Sequence, residues 1–405
     1  MMVKSYHVLF FLFIVLAFIS ACEYKNDDMV SDRASLIVAD IDDSGLDYNS
    51  LAGERIQHLI KYDFERGELV SAETIVSNSG YKLRFNHQHE GSHVYQNRYV
   101  ITGYGDIVDI TSRQFIHRGG SGSEYTQLLG MEGDFVYIHQ PQTDGYYYFD
   151  LANHEYKEME NPGKWSLPGL LSPDESMSVT SSDRNEGQVW LHHLNGETEL
   201  LAEGFYVEYS PFSSLLWGVP LLWLDNQRIL TQKANGVMVI VTVDGSMIPV
   251  VNIDLNDYDF APPDSKGALT TYLTRDFNDD IIYDISMIGP NGSFRSNRFK
   301  IDVENKSYSI YDPDWIALGH KFEYSTNQGN TVLRYNGHDI GQEQYFLRRY
   351  SHTIEGYIAI ISRDSYEYPT SIKVWSSASE KWTIVDFEYP VWITYSSIIG
   401  WIEEK

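Results

Sequence analysis

The feature that most constrains this chain is a repeated grammar of short strands and tight turns. From about Leu51 onward no 3.6-residue apolar periodicity is sustained; brief alternating or apolar runs recur, separated by clusters of Gly, Asn, Asp and Ser. That pattern predicts an all-β chain rather than helices. Asn97 to Gly119 reads strand, turn, strand, turn, strand, and Gly133 to Met159, Leu224 to Val251 and Gly356 to Val385 repeat it. The units end in a hairpin whose turn carries small or polar residues: Ala152-Asn153, Asn195-Gly196, Asp244-Gly245 and Ser379-Glu380. Such residues form turns because Gly tolerates positive φ and Asn or Asp can bond its own backbone.

One copy is more explicit than the rest. Leu171 to Leu201 reads "LSPDESMSVTSSDRNEGQVWLHHLNGETELL". It resembles the repeat of TolB-type, WD-repeat-like β-propellers through Ser172, Pro173, Asp174, Ser182, Asp183, Arg184, Gly187, Val189, Trp190, Leu194, Asn195 and Gly196. Two departures stand out. Glu175 occupies the place where Gly is usual, and Ser178 and Thr180 make the first strand polar. The resemblance implies four-stranded blades arranged about a channel, the architecture expected of all-β repeats of roughly 40–50 residues. About 380 residues follow Cys22, room for six to eight blades, and seven is the expectation. Ile56 to Ile75 resembles an outer half-blade and Pro390 to Glu404 an inner half-blade. Pairing them would close the ring and remove open edges. The stretch from Ile310 to Thr353 is the least legible.

The start of the chain addresses location. Lys4 precedes the apolar run Val8 to Ile19, which is shorter than the roughly 20 residues a membrane-spanning helix needs and has the length of a signal-peptide core. Ile19-Ser20-Ala21-Cys22 resembles the lipobox of bacterial lipoproteins, with Ile where Leu is commoner. The resemblance implies cleavage before Cys22 and acylation there, and several acyl chains anchor lastingly because each buried CH₂ contributes about 0.8 kcal/mol. Cys22 is the single cysteine, so disulfides, thiolate metal sites and a cysteine nucleophile are excluded. Glu23 to Asp28 resembles the acidic tether of surface-exposed lipoproteins, and reads equally as a solvated linker. The expected organisation is a signal peptide over 1–21, a tether over 22–50 and a propeller over 51–405. The protein is expected to be exported and lipid-anchored in the bacterial envelope, at the outer membrane on its periplasmic or surface side.

Thirty Lys and Arg against 57 Asp and Glu give a net charge of −27. Such a surface excludes nucleic-acid binding, makes the lipid anchor the expected contact with membrane, and favours cationic partners.

Several motifs invite chemistry. His89-Glu90-Gly91-Ser92-His93 matches the H-E-x-x-H zinc signature, but that signature works on a helix, and Gly91 and Ser92 between strands predict a polar loop. Ser121 in "GGSGSEY" lacks the Gly two residues on that a nucleophile elbow needs. Asp276, Asp279, Asp280 and Asp284 could offer oxygen ligands to calcium but lack the EF-hand pattern, so a solvated hairpin is expected. His192 and His193 are adjacent on a strand and point to opposite faces. Tyr146, Tyr147 and Tyr148 could stack on sugars, yet blade cores look the same in sequence, and core is the expectation. No catalytic residue, metal site or cofactor is implied. The expected function is a non-catalytic binding or scaffold module for an envelope protein, peptide or glycan. The alternative is a glycan hydrolase or lyase with carboxylates or His at the channel mouth, whose residues a single sequence does not reveal.

Overall fold

The computed structural model describes residues 33–42, 56–79, 92–120, 126–181, 187–205, 219–233, 236–253, 268–276, 278–288, 294–311, 315–327, 330–343, 351–363, 369–386 and 397–403. Cys22, the apolar leader, His89 to Gly91, Ser121 and Ser182 to Arg184 lie outside them.

The described strands form eight four-stranded antiparallel sheets. Blade 1 comprises Arg33–Asp42, Ile56–Glu65, Glu68–Ser79 and Ser397–Glu403. Blades 2 to 8 are consecutive four-strand meanders over residues 93–117, 127–158, 170–202, 221–252, 268–310, 316–343 and 351–386. This is the blade organisation of a β-propeller. The chain divides into two compact units, Met1–Leu128 with Trp315–Lys405, and Leu129–Asp314. The first holds blades 1, 2, 7 and 8; the second holds blades 4 to 6 and all of blade 3 but the start of its first strand.

Two expectations are corrected. The described strands make eight blades, not seven, because the illegible stretch between Ile310 and Thr353 contains the whole of blade 7. The segment expected as tether contains a strand, Arg33–Asp42, which takes a central place in blade 1 between Ile56–Glu65 and Ser397–Glu403.

The middle strands of blade 5 are apolar on both faces, since each face packs on a neighbouring sheet. Arg228–Gln232 and Val237–Thr242 are buried along most of their length, whereas the outermost strand Glu155–Glu158 is exposed throughout. Hydrophobic cores accordingly lie between consecutive blades. Leu230, Met238, Tyr283 and Phe299 fill the space between blades 5 and 6, and Leu36, Phe64, Tyr357 and Val374 that between blades 1 and 8. Polar ties recur at these seams. Trp223 Nε1 donates to the Leu170 carbonyl at 2.9 Å, Trp382 Nε1 to Ile340 at 2.7 Å and Trp401 Nε1 to His352 at 3.0 Å. Buried indole N–H groups need such acceptors.

The hairpin turns show why these residues stop the strands. Asp150 accepts the amides of Ala152 and Asn153 at 2.9 and 3.1 Å, Asn195 that of Glu197 at 3.0 Å, Asp244 that of Ser246 at 3.0 Å and Asp302 that of Asn305 at 2.9 Å. Each side chain closes a backbone loop that would otherwise leave donors to water.

Candidate functional site

Blade 3 differs from its neighbours in what its two faces carry. Along Phe135–Gln140 the residues alternate, as a strand requires. Val136 and Ile138 are fully buried and pack with Phe149 on one face. Phe135, Tyr137 and His139 fall on the other, opposite Asp150, Tyr148 and Tyr146 of the paired strand Gly145–Asp150. That second face is an aromatic layer. Phe135 meets Tyr148 edge to face at 5.3 Å, and His139 stacks on Tyr146 at 4.6 Å.

Tyr137 stacks on Trp165 at 4.3 Å between centroids with an interplanar angle of 20°. Trp165 stands on a 3-10 turn, Gly163–Ser166, that follows the blade. Its ring fits because Gly130 presents no side chain: a Cβ there would lie 2.5 Å from Cζ3 and 2.7 Å from Cη2 of Trp165. Lys164 Nζ lies 4.9 Å from the centre of the same ring and pairs with Glu132 at 3.1 Å and Glu175 at 2.6 Å.

Phe135, Tyr137 and Tyr148 line a cleft of about 310 Å³ with Glu158, Met159, Glu160 and Asn161. The cleft opens beside the end of the last strand of the blade, where Glu158, Glu160 and Asn161 are exposed. Burial, with Asp144 nearby, raises the Tyr146 phenol, and burial beside Tyr147 pushes that of Tyr156 up to about 12. These two phenols therefore stay neutral at ordinary pH. The aromatic trio expected in the core is thus corrected: Phe149 is the core residue, and Tyr146, Tyr147 and Tyr148 are half-buried.

The residues singled out from the sequence occupy other places. In blade 4, Ser172 donates to Asp174 Oδ1 at 2.7 Å and accepts the Met177 amide at 3.1 Å, while Asp174 accepts the Ser176 amide at 3.2 Å and its hydroxyl at 2.8 Å. The hydroxyls of Ser172 and Ser176 hold the Asp174 carboxyl below its ordinary range. Pro173 opens that turn, and Glu175, standing where Gly is usual, takes the positive φ of 57° that Gly would take. Gly187 and Gly196 adopt φ of 56° and 84°, and Trp190 sits half-buried on Val189–His193. These residues build a turn and a hairpin, not a pocket.

His192 lies 2.7 Å from Thr180 Oγ1 and 3.2 Å from Thr198 Oγ1, whereas His193 faces Glu199 at 3.0 Å, so the pair does not converge. The Asp-rich hairpin likewise spends its carboxylates separately. Asp276 accepts the amides of Asn278 and Asp280 and the Tyr311 hydroxyl, Asp279 pairs with Arg275, Asp280 with Lys300 and Asp284 with Arg298. His93 begins a strand rather than continuing a helix, which removes the geometry a zinc signature needs. Among the described residues no group of three His, Cys, Asp or Glu side chains converges on a metal-sized site.

Sequence comparison adds no relative: no protein-family profile and no curated protein matches the chain. Solved structures similar to it include AztD of Citrobacter koseri, at 11% identity and a TM-score of 0.37, covering 93% of this chain and 99% of that one. BamB of Moraxella catarrhalis is similar at 12% identity and 0.27, over 87% and 100%. TolB of Acinetobacter baumannii is similar at 11% and 0.24, over 77% and 82%. At these scores the likeness assigns no function.

Proposed function

We propose that the chain is a lipid-anchored cell-envelope β-propeller that acts as a non-catalytic binding or scaffold module for an envelope protein. The observation that carries this reading is the cleft on blade 3, where aromatic side chains are held in place by packing yet left open to solvent. Concave aromatic surfaces with a few polar groups at the rim are where proteins take up ligands. The use of the polar side chains elsewhere supports it: the aspartates of the 276–284 hairpin and the two adjacent histidines are committed to structural partners. The proposed anchor is Cys22, and the proposed mature protein starts there.

The test is affinity capture of the full chain from detergent-solubilised native envelope, with Cys22→Ser alongside. The expected result is one envelope protein recovered in stoichiometric amount with either chain, and membrane fractionation of the wild type only. Recovery of no protein, with cleavage of an envelope glycan by the same preparation, would overturn the reading.

A further inference from the structure

Resting on the Cys22 anchor of that reading, we propose that blades 1, 7 and 8 turn one end toward the bilayer, the end at which the chain enters blade 1. Three observations converge. First, the turns at that end are joined into one surface. Arg33, the first residue of blade 1, pairs with Glu65 at 3.2 Å beside the Arg66–Gly67 turn. Gly67 lies against Ser376 and Ser379 of blade 8, and the Ser377 amide there donates to the Gly356 carbonyl at 2.8 Å. Glu355, next to Gly356, pairs with Lys321 of blade 7 at 3.1 Å, and the Lys321 carbonyl accepts the Asn336 amide of that blade's last turn at 2.9 Å.

Secondly, the tether is short for the opposite arrangement. Arg33 is eleven residues past Cys22, so the two lie at most about 40 Å apart. Asp42, at the far end of the same strand, is nine residues further, about 30 Å along it. With that far end against the bilayer, the chain from Cys22 would have to run the height of the blade, close to its full reach and at a cost in conformational entropy. With the near end against the bilayer it needs no such extension. Thirdly, charge nearly balances at the near end of a chain whose net charge is −27. Besides the two ion pairs, Arg66 and Lys381 are exposed on the same turns as Glu68 and Glu380, and Glu403 adds one carboxylate beside Ala34. This end therefore approaches an anionic leaflet without the repulsion that the chain as a whole would meet.

The test is energy transfer from a dye on an introduced cysteine to acceptor-labelled lipid headgroups. The full chain is carried by its own anchor into vesicles of phosphatidylethanolamine and phosphatidylglycerol, and acylation of the Cys22 thiol leaves one site for the dye. The near-end probes are Ala378→Cys, exposed on the blade 8 turn, and His338→Cys, exposed at the last turn of blade 7. The far-end probe is Ser77→Cys, exposed nine residues past Glu68 on the outermost strand of blade 1. Transfer from positions 378 and 338 is expected to exceed that from position 77 at least about twofold, because the two ends stand roughly 30 Å apart. Equal transfer from all three positions, or more from position 77, in a chain that floats with the vesicles would overturn the inference and leave the anchor standing. A chain that does not float, or one that floats equally well as Cys22→Ser, would overturn the anchor and this inference with it.

Discussion

A chain ending at residue 396 is expected to lose its folded state, not merely one strand. Ser397–Glu403 is the innermost strand of blade 1, paired antiparallel to Arg33–Asp42. Ile398, Ile399, Trp401 and Ile402 are all buried, Trp401 against Phe64 and Tyr357. Burying a large apolar side chain contributes roughly 1.5–3 kcal/mol, so these four together rival the about 5–15 kcal/mol that separates folded from unfolded domains. The loss is also positional. The strand sits against the first strands of blades 2 and 8, with Gly400 close to Val94 and the Trp401 indole bonded to His352. Its removal would expose the edge of Arg33–Asp42, a template for aggregation. Expression of the truncated chain should give insoluble or molten protein by gel filtration and near-ultraviolet circular dichroism. A soluble monomer with the wild-type urea midpoint would contradict this account of the closure.

Gly187→Ala is expected to cost roughly 2–5 kcal/mol. Alanine at a φ of 56° is strained by about 1–2 kcal/mol. Its Cβ would also overlap the Phe205 carbonyl oxygen and lie 2.8 Å from the Phe205 nitrogen, and forcing that backbone aside adds about 1–3 kcal/mol. Phe205 can yield little, being buried and bonded through its amide to the Gly187 carbonyl at 3.0 Å. Gly196→Ala provides the comparison: its φ is 84°, but nothing lies within 4 Å of the added Cβ. Urea denaturation should therefore show a clearly larger midpoint shift for Gly187→Ala. Equal shifts would mean that the contact with Phe205 contributes nothing.

What could be read from the sequence was local chemistry, and what could not was set by neighbours. Ala152-Asn153, Asn195-Gly196, Asp244-Gly245 and Ser379-Glu380 all fall in the turn before the last strand of a blade. Asn195 and Asp244 bond amides of their own turns, while Asp150 and Ser376, at the ends of the preceding strands, do so for the other two. The closing role of the C-terminal strand was legible because a half-blade has unsatisfied edges. Blade 7 escaped although Asn336-Gly337 marks its last turn, because its first turn lacks such a marker and its strands are polar. His320 and Lys321 both take positive φ without a glycine, and the strands "FEYSTN" and "HDIGQE" carry few apolar residues. Arg33–Asp42 escaped for a different reason: Leu36, Ile37, Val38 and Ala39 are all buried, so a strand covered on both faces shows a short apolar run instead of alternation. The cleft was half visible. Alternation along "FVYIHQ" places Phe135, Tyr137 and His139 together, but the open face is decided by packing, and the seat that Gly130 makes for Trp165 is tertiary.

The central claim is that the protein works by holding an envelope partner at blade 3. The most direct measurement is photocross-linking in intact cells with p-benzoylphenylalanine placed at position 135, at the cleft, or at position 384, where Ile384 is 60% exposed on the last strand of blade 8. A single envelope protein cross-linked from position 135 and not from position 384 is the predicted result. The same product from both positions, or a product from position 384 alone, would contradict it.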